Sequence, residues 1–95
     1  MNTLRQLELW FQSQCDGDWE HEEGIKIYTL DNPGWGVDIA LLGTNLENQQ
    51  FPRVQIERNA TDWLWIFLKD EVFSIRCGPL NLDEGLQEFI KWATS

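Results

Sequence analysis

The residues with the most obvious capacity for chemistry in this 95-residue sequence lie between positions 15 and 23. Cys15 begins the stretch, Trp19 and His21 lie within it, and it contains no lysine or arginine. We call residues 16–23 the acidic segment because they include five carboxylates: Asp16, Asp18, Glu20, Glu22 and Glu23. Carboxylates grouped in this way can bind a metal ion, assist catalysis or accept hydrogen bonds from arginine side chains.

Catalysis by a thiol or a serine would have to use His21, because it is the only histidine in the chain. Cys15 is close in sequence, but the neighbouring carboxylates should raise the pKa of its thiol, where catalysis needs a lower one. Carboxylate pairs that could hydrolyse glycosides occur in any acidic chain, and here they lie on an exposed connection. The sequence therefore predicts no enzyme, with a small thiol or metal enzyme using Cys15 and His21 as an alternative.

Metal binding is the second kind of chemistry that the acidic segment could support. Asp16-Gly17-Asp18 resembles the start of a calcium loop, but the glycine at loop position six and the glutamate at position twelve are missing. One histidine and two well-separated cysteines do not give the spacing of a zinc site. We therefore expect neither a metal nor a cofactor.

Macromolecular binding is the third possibility, and the overall charge favours it. Sixteen acidic residues against seven basic ones give a formal net charge of −9. Nucleic-acid binding needs clustered lysine and arginine, so we expect a basic protein partner and no nucleic acid. We predict that the five carboxylates of the acidic segment contact this partner, with Trp19 as the anchor. In the alternative interpretation, Trp19 packs under a helix end and the acids serve solubility.

Two helices and five strands must position these groups. Thr3 and Gln6 predict a capping box for the first helix, and Gly17 is its predicted stop. The apolar stripe of this helix comprises Leu4, Leu7, Phe11 and Cys15, with Trp10 at its edge. Asn81 and Glu84 predict the start of the last helix. Its apolar side comprises Leu82, Leu86, Phe89, Ile90 and Ala93.

Period-two patterns between the helices predict strands at 24–30, 35–41, 51–58, 63–69 and 72–77. The sequence Asn32-Pro33-Gly34-Trp35 predicts a tight turn in which Gly34 takes a positive φ. The strand at 63–69 is the most apolar and is predicted to be central. Short connections favour a meander, so we predict one α+β domain, residues 1–95. It has a five-stranded antiparallel meander sheet, with the N- and C-terminal helices packed on one face.

The opposite face of that sheet is a second candidate for partner binding. If the aliphatic residues of strand 63–69 face the helices, then Trp63, Trp65 and Phe67 point away from them. Their predicted neighbours are mostly polar: Lys26, Tyr28, Arg53, Glu57 and Arg76. Exposed aromatic rows rimmed by charge often mark interfaces, so Trp63 and Trp65 are also predicted partner contacts. Alternatively, polar side chains and a loop cover the rings, or the alternation is shifted by one residue.

The cellular setting is predicted from the cysteines and the hydropathy pattern. Cys15 and Cys77 cannot form the multiple disulfides typical of small secreted domains, which favours reduced thiols and a cytoplasmic location. Residues 1–15 follow a helical pattern with charges, unlike a signal peptide, and no stretch is apolar enough to span a membrane. We therefore expect no membrane association.

Several short strings also carry a family resemblance. They are residues 13–21 (SQCDGDWEH), 24–27 (GIKI) and 29–35 (TLDNPGW), with weaker matches at 43–44 and 46–48. In these strings the sequence resembles the immunity protein 53 family of bacterial polymorphic toxin systems. The resemblance implies that the protein neutralises a cognate protein toxin by direct binding and without catalysis. Such a toxin would be basic if it attacks nucleic acid, as many toxins of these systems do.

A second functional hypothesis uses the aromatic sheet face instead. In that case the chain is a homo-oligomerising or adaptor domain that pairs through Trp63, Trp65 and Phe67. Sedimentation distinguishes the two hypotheses, since an immunity protein is expected to be a monomer or a weak homodimer.

Overall fold

The computed structural model describes residues 2–95 and has the predicted α+β architecture. The helices are α1 (Thr3–Gln14), α2 (Trp19–Glu22) and α3 (Leu82–Ala93). The strands are β1 (Ile25–Leu30), β2 (Gly34–Ala40), β3 (Val54–Asn59), β4 (Asp62–Lys69) and β5 (Val72–Cys77). All four strand pairings are antiparallel, and α1 and α3 pack together on one face of the sheet, as predicted.

The strand order differs from that of a simple meander. The order across the sheet is β1-β2-β5-β4-β3, so the strand at 72–77, and not the one at 62–69, is central. The thirteen residues 41–53 carry the chain from β2 to the far edge of the sheet, which leaves room for β5 beside β2. The sequence of β4 is apolar at nearly every position because its aliphatic residues face the helices and its aromatic residues lie on the opposite face. The central position belongs to β5, in which Phe73, Ile75 and Cys77 are fully buried.

Helix α1 begins one residue earlier than predicted, and its buried side is rotated. Asn2, and not Thr3, caps the helix, because its Oδ1 accepts a hydrogen bond of 2.8 Å from the backbone N–H of Arg5. Leu7 and Trp10 are the buried residues, whereas Leu4 is 60% exposed. The rotation follows from the contact with α3, since the Trp10 ring meets Phe89 edge-on with centroids 4.9 Å apart.

At Gly34 and Gly85, neighbouring atoms come so close to the backbone that a side chain would not fit. Gly34 begins β2 without the predicted positive φ, which the structure places at Gly17, Gly24 and Gly43. A Cβ at Gly34 would instead overlap the carbonyl oxygen of Cys77 on the neighbouring strand. A Cβ at Gly85 would lie 2.8 Å from Cγ2 of Ile75, so this glycine lets α3 pack tightly on the sheet.

A polar network ties the start of α3 to β4. Asn81 precedes α3 as predicted, but its Nδ2 donates to Asp62 (2.9 Å) and Glu84 (3.1 Å), so no side-chain cap of the usual kind forms. Arg58 donates to both carboxylates, at 2.8 Å and 2.7 Å. Hydrogen bonds from Asn81 and Arg58 lower the pKa of Asp62, and those from Arg58 and Asn81 lower that of Glu84.

This network predicts that the protein loses stability in acid. Both carboxyl pKa values are lower in the folded chain than in the unfolded one. Their stabilising contribution is therefore complete above the unfolded carboxyl pKa of about 4 and is lost as the pH falls through the folded values. The midpoint of urea unfolding should fall between pH 6 and pH 3, and Arg58→Met should reduce this pH dependence. An identical pH dependence in both proteins would show that the network does not contribute.

No helix within residues 2–95 has the length and apolar character needed to cross a bilayer.

Candidate partner-binding surfaces

The acidic segment is folded around two of its own carboxylates. Oδ1 of Asp16 accepts hydrogen bonds of 3.0 Å from the backbone N–H groups of Asp18 and Trp19, at the start of α2. Glu20 reaches back and accepts from the N–H groups of Asp16 (2.9 Å) and Gly17 (2.8 Å). Backbone hydrogen bonds lower the pKa of both carboxyl groups. Asp16 and Glu20 therefore hold the shape of the segment.

Trp19 does not lie on the surface. The short helix α2, which the sequence pattern did not reveal, turns its ring inward, so that only 4% of the residue is exposed. The ring lies 5.8 Å from Trp10 and 5.6 Å from Phe11, centroid to centroid. The burial of Trp19 does not fit the prediction of an exposed anchor for a partner, and it agrees with the alternative in which the ring packs under a helix end.

The other three carboxylates of the segment are available to a partner. The side-chain carboxylates of Asp18, Glu22 and Glu23 are exposed and make no hydrogen bond or ion pair within residues 2–95. Glu22 and Glu23 also line a shallow depression with Lys26 and Asp38, at one corner of the sheet. The acidic segment thus borders the sheet face that the helices leave uncovered.

The catalytic and metal interpretations gain no support from the geometry. Burial, followed by the charges of Glu20 and Asp16, raises the pKa of the Cys15 thiol, in the direction predicted. The Sγ atom of Cys15 lies 3.2 Å from the backbone carbonyl oxygen of Phe11. Burial raises the pKa of Cys77 to about 11. Within the described chain, no three His, Cys, Asp or Glu side chains are grouped closely enough to hold a metal ion.

The face of the sheet opposite α1 and α3, which we call the open face, is built from the alternate residues of all five strands. Pairing aligns them in rows, and one complete row runs across the sheet through Tyr28, Gly36, Arg76, Trp65 and Gln55. Leu64 and Ile66 are buried on the helix side, so Trp63, Trp65 and Phe67 lie on the open face as predicted. Trp65 is 37% exposed, and Trp63 and Phe67 are partly buried.

A hydrogen-bonded group fixes the side chains at the centre of the open face. Asp38 accepts from Ser74 (3.0 Å), from Nη1 of Arg76 (3.0 Å) and from the hydroxyl of Tyr28 (3.1 Å). The Arg76 guanidinium carbon also lies 5.5 Å from the ring centroid of Tyr28 and 5.8 Å from that of Phe67. Cation–π contacts of this kind favour a fixed position for the arginine.

The single tyrosine of the chain reports on this arrangement. Burial, and then the hydrogen bond to Asp38, raise the pKa of Tyr28, while the Arg76 charge opposes the rise. A Cβ at Gly36 would overlap the tyrosine ring, so Gly36→Ala should push the ring into solvent. The pKa of Tyr28 should then move down toward the usual value of about 10, as measured by tyrosinate absorbance. The urea-unfolded chain provides the reference, and an unchanged titration in the variant would contradict this packing.

The open face has the opposite charge balance from the rest of the molecule. Four of the seven basic residues lie on it, namely Lys26, Arg53, Lys69 and Arg76. The strands contribute only two carboxylates to this face, Asp38 and Glu57, while Glu22 and Glu23 of the acidic segment border it beside Lys26. Lys26, Arg53 and Lys69 form no ion pair within residues 2–95. The other fourteen of the sixteen acidic residues occupy no strand position on this face, and the open face is locally basic and aromatic.

A concavity of about 380 Å³ lies at one end of the open face. We call it the end pocket. Its walls are Leu30, Asn32, Glu57, Asn59, Ala60, Trp63, Trp65 and Arg76. All three hydrogen bonds of Arg76 use Nη1, so Nε and Nη2 have no partner within residues 2–95. These two nitrogens form the fork that can bind a carboxylate through two parallel hydrogen bonds.

Sequence reasoning found most of this surface but missed Asp38, Ser74 and Lys69. Asp38 stands between two buried residues, Val37 and Ile39, and the alternation alone could have placed it beside Lys26. The contact of Asp38 with Ser74 could not be predicted, because it requires β5 to pair with β2.

Comparison with known proteins identifies the family. The profile of the family described as Immunity protein 53 matches residues 4–94, which is nearly the whole chain. Searches of curated proteins and of solved structures gave no match. Immunity proteins neutralise toxins, and they are generally not enzymes. On this match and on the motifs at 13–35, the chain belongs to the immunity protein 53 family.

Proposed function

We propose that this protein neutralises one cognate toxin by binding directly to it, and that the toxin domain is basic, as nucleic-acid-cleaving enzymes commonly are. The net charge of −9 is the observation that carries this proposal. An acidic inhibitor attracts a basic target over distances of several ångströms and accelerates their association. It can also occupy the positions that phosphates would take in the active site of a nuclease.

Within this proposal, two neighbouring surfaces make the contact. Asp18, Glu22 and Glu23 offer unpaired carboxylates to lysine or arginine side chains of the toxin. Asp16 and Glu20 contribute their charge while they keep the segment folded. Trp63 and Trp65 supply apolar area on the adjoining open face. Tryptophans often contribute a large share of the binding energy of an interface.

We further propose that the protein acts as a cytoplasmic monomer. Pairing of two copies through their open faces would bring four cations of one copy against the same four of the other, which is unfavourable. Reduced Cys15 and Cys77, neither of which forms a disulfide, fit a cytoplasmic location. Sedimentation at tens of micromolar should give the mass of one chain, and an obligate dimer would contradict the proposal.

The test is co-expression of the protein with the toxin domain encoded beside its gene. Bacteria that express the toxin domain alone should stop growing, and the immunity protein should restore growth and co-purify with the toxin. A control strain should carry an immunity protein from an unrelated family. Continued toxicity with the wild-type protein, or rescue without a complex, would overturn neutralisation by direct binding.

A further inference from the structure

We propose that the open face binds an acidic segment of the toxin, so that the complete interface has two parts of opposite charge. This inference rests on the proposed function. It specifies the chemistry of a second surface on the toxin, which the acidic segment alone would not predict. The occupant is a stretch of toxin chain that presents carboxylates together with apolar side chains.

Charge complementarity is the first argument for this occupant. The protein as a whole carries −9, yet four cations face outward from one sheet surface that has only two carboxylates. The three basic residues outside this face each form an ion pair with a carboxylate, namely Arg5, Arg58 and Lys91. Lys26, Arg53 and Lys69 instead remain without an ion-pair partner. Unpaired cations gathered on one face favour an anionic partner there.

Preorganisation is the second argument. Arg76 is held by Asp38 and by the rings of Tyr28 and Phe67, and Arg53 lies 5.8 Å from the centroid of the same Phe67 ring. Side chains that are already fixed lose less conformational entropy when a partner binds. Because Nε and Nη2 of Arg76 have no hydrogen-bond partner within residues 2–95, they can still donate two parallel hydrogen bonds to a carboxylate.

The end pocket is the third argument, because it supplies the apolar part of the site. Trp63, Trp65 and Leu30 form apolar walls, and Arg76 lies beside them. A volume of about 380 Å³ lies at the lower end of the range of ligand pockets and admits one or two side chains of a peptide. In a bound segment, a carboxylate could pair with Arg76 while a neighbouring apolar side chain packs against the edge-to-face pair of Trp63 and Trp65.

Charge reversal on the open face tests the inference. Lys26→Glu with Arg53→Glu replaces two exposed positive charges by negative ones and so changes the net charge by −4. The matched control, Arg5→Glu with Lys91→Glu, makes the same charge change on the outer sides of α1 and α3, where these residues are 64% and 78% exposed. Affinity for the purified toxin domain should fall by roughly 10-fold to 100-fold in the open-face variant. The control should bind as tightly as the wild type or more tightly.

The outcomes separate this inference from the proposed function. If only net charge mattered, both variants would bind a basic toxin more tightly, so selective weakening identifies the open face. Wild-type affinity in the open-face variant, or equal weakening in both variants, would overturn the inference and leave neutralisation intact. A wild-type protein that does not bind the toxin would overturn both. Self-association or binding of a thymidine oligonucleotide, if abolished by the open-face variant, would assign the face to another occupant and also overturn the inference.

Discussion

Phe73→Ala is expected to lower the free energy of unfolding by about 3–5 kcal/mol, the range typical of aromatic truncation in a core. Phe73 is fully buried on the central strand β5. Its ring centroid lies 4.9 Å from Phe51, 5.0 Å from Phe89 and 5.3 Å from Trp92. Removing the ring leaves a cavity among three aromatic neighbours that tertiary contacts hold in place. Urea unfolding of the purified variant measures the loss.

The matched control for this prediction is Leu80→Ala. Leu80 is 94% exposed, so the same kind of truncation should change the free energy of unfolding by no more than about 0.5 kcal/mol. A cost below about 1 kcal/mol for Phe73→Ala would contradict the position of β5 at the centre of the core.

Neutralising the free carboxylates of the acidic segment is expected to slow association with the toxin domain by roughly 10-fold at low salt. The variant combines Asp18→Asn, Glu22→Gln and Glu23→Gln. None of these side chains has an intramolecular partner within residues 2–95, so the stability of the fold should not change. The difference from the wild type should shrink as salt is added, since exposed charges are screened beyond about 8–10 Å near physiological ionic strength. Stopped-flow binding at several salt concentrations measures both effects.

The control for this experiment changes the net charge equally but elsewhere, with Glu8→Gln, Asp31→Asn and Asp70→Asn. If the net charge of the whole protein alone determined the association rate, both triple variants would associate with the toxin domain equally slowly. Equal slowing, or no slowing in the first variant, would remove the acidic segment from the proposed interface.

The sequence predicted the two faces of the sheet because alternation is a local property. In β4 the aliphatic residues Leu64 and Ile66 suit a buried surface, and the intervening Trp63 and Trp65 must then lie on the other side. The same reasoning correctly placed Glu57 and Arg76 beside these rings, because paired residues of neighbouring strands lie on the same face of the sheet. Tyr28 lies on that face too, but on the edge strand β1.

The order of the strands in the sheet could not be predicted from this alternation, because alternation does not show which strands are neighbours. The connection of residues 41–53 is much longer than a hairpin loop, which is the one signal in the sequence for a crossing to the far edge. Leu46 within it is buried, so the loop is part of the core and is not merely a polar linker. The pairing of β2 with β5 brings Asp38 to Ser74 and Arg76, and the central group of the open face depends on it.

Trp19 shows how local composition can mislead. An indole surrounded by carboxylates is typical of a recognition site, but the backbone hydrogen bonds of Asp16 and Glu20 wind the segment into a short turn of helix. That turn directs the ring toward Trp10 and Phe11. Four residues are too few for a helical periodicity to appear in the sequence, so the pattern alone could not decide between the exposed and the packed interpretation of Trp19.

The tryptophans themselves provide the most direct test of where the toxin binds. The indole N–H groups give separate signals in a two-dimensional nuclear magnetic resonance spectrum, which can be recorded before and after addition of an inactivated toxin domain. The signals of Trp63 and Trp65 should shift or broaden. That of Trp92, which donates to the backbone oxygen of Gln50 on the helix side at 3.1 Å, should stay in place. Changes confined to Trp92, with Trp63 and Trp65 unaffected, would contradict binding through the open face.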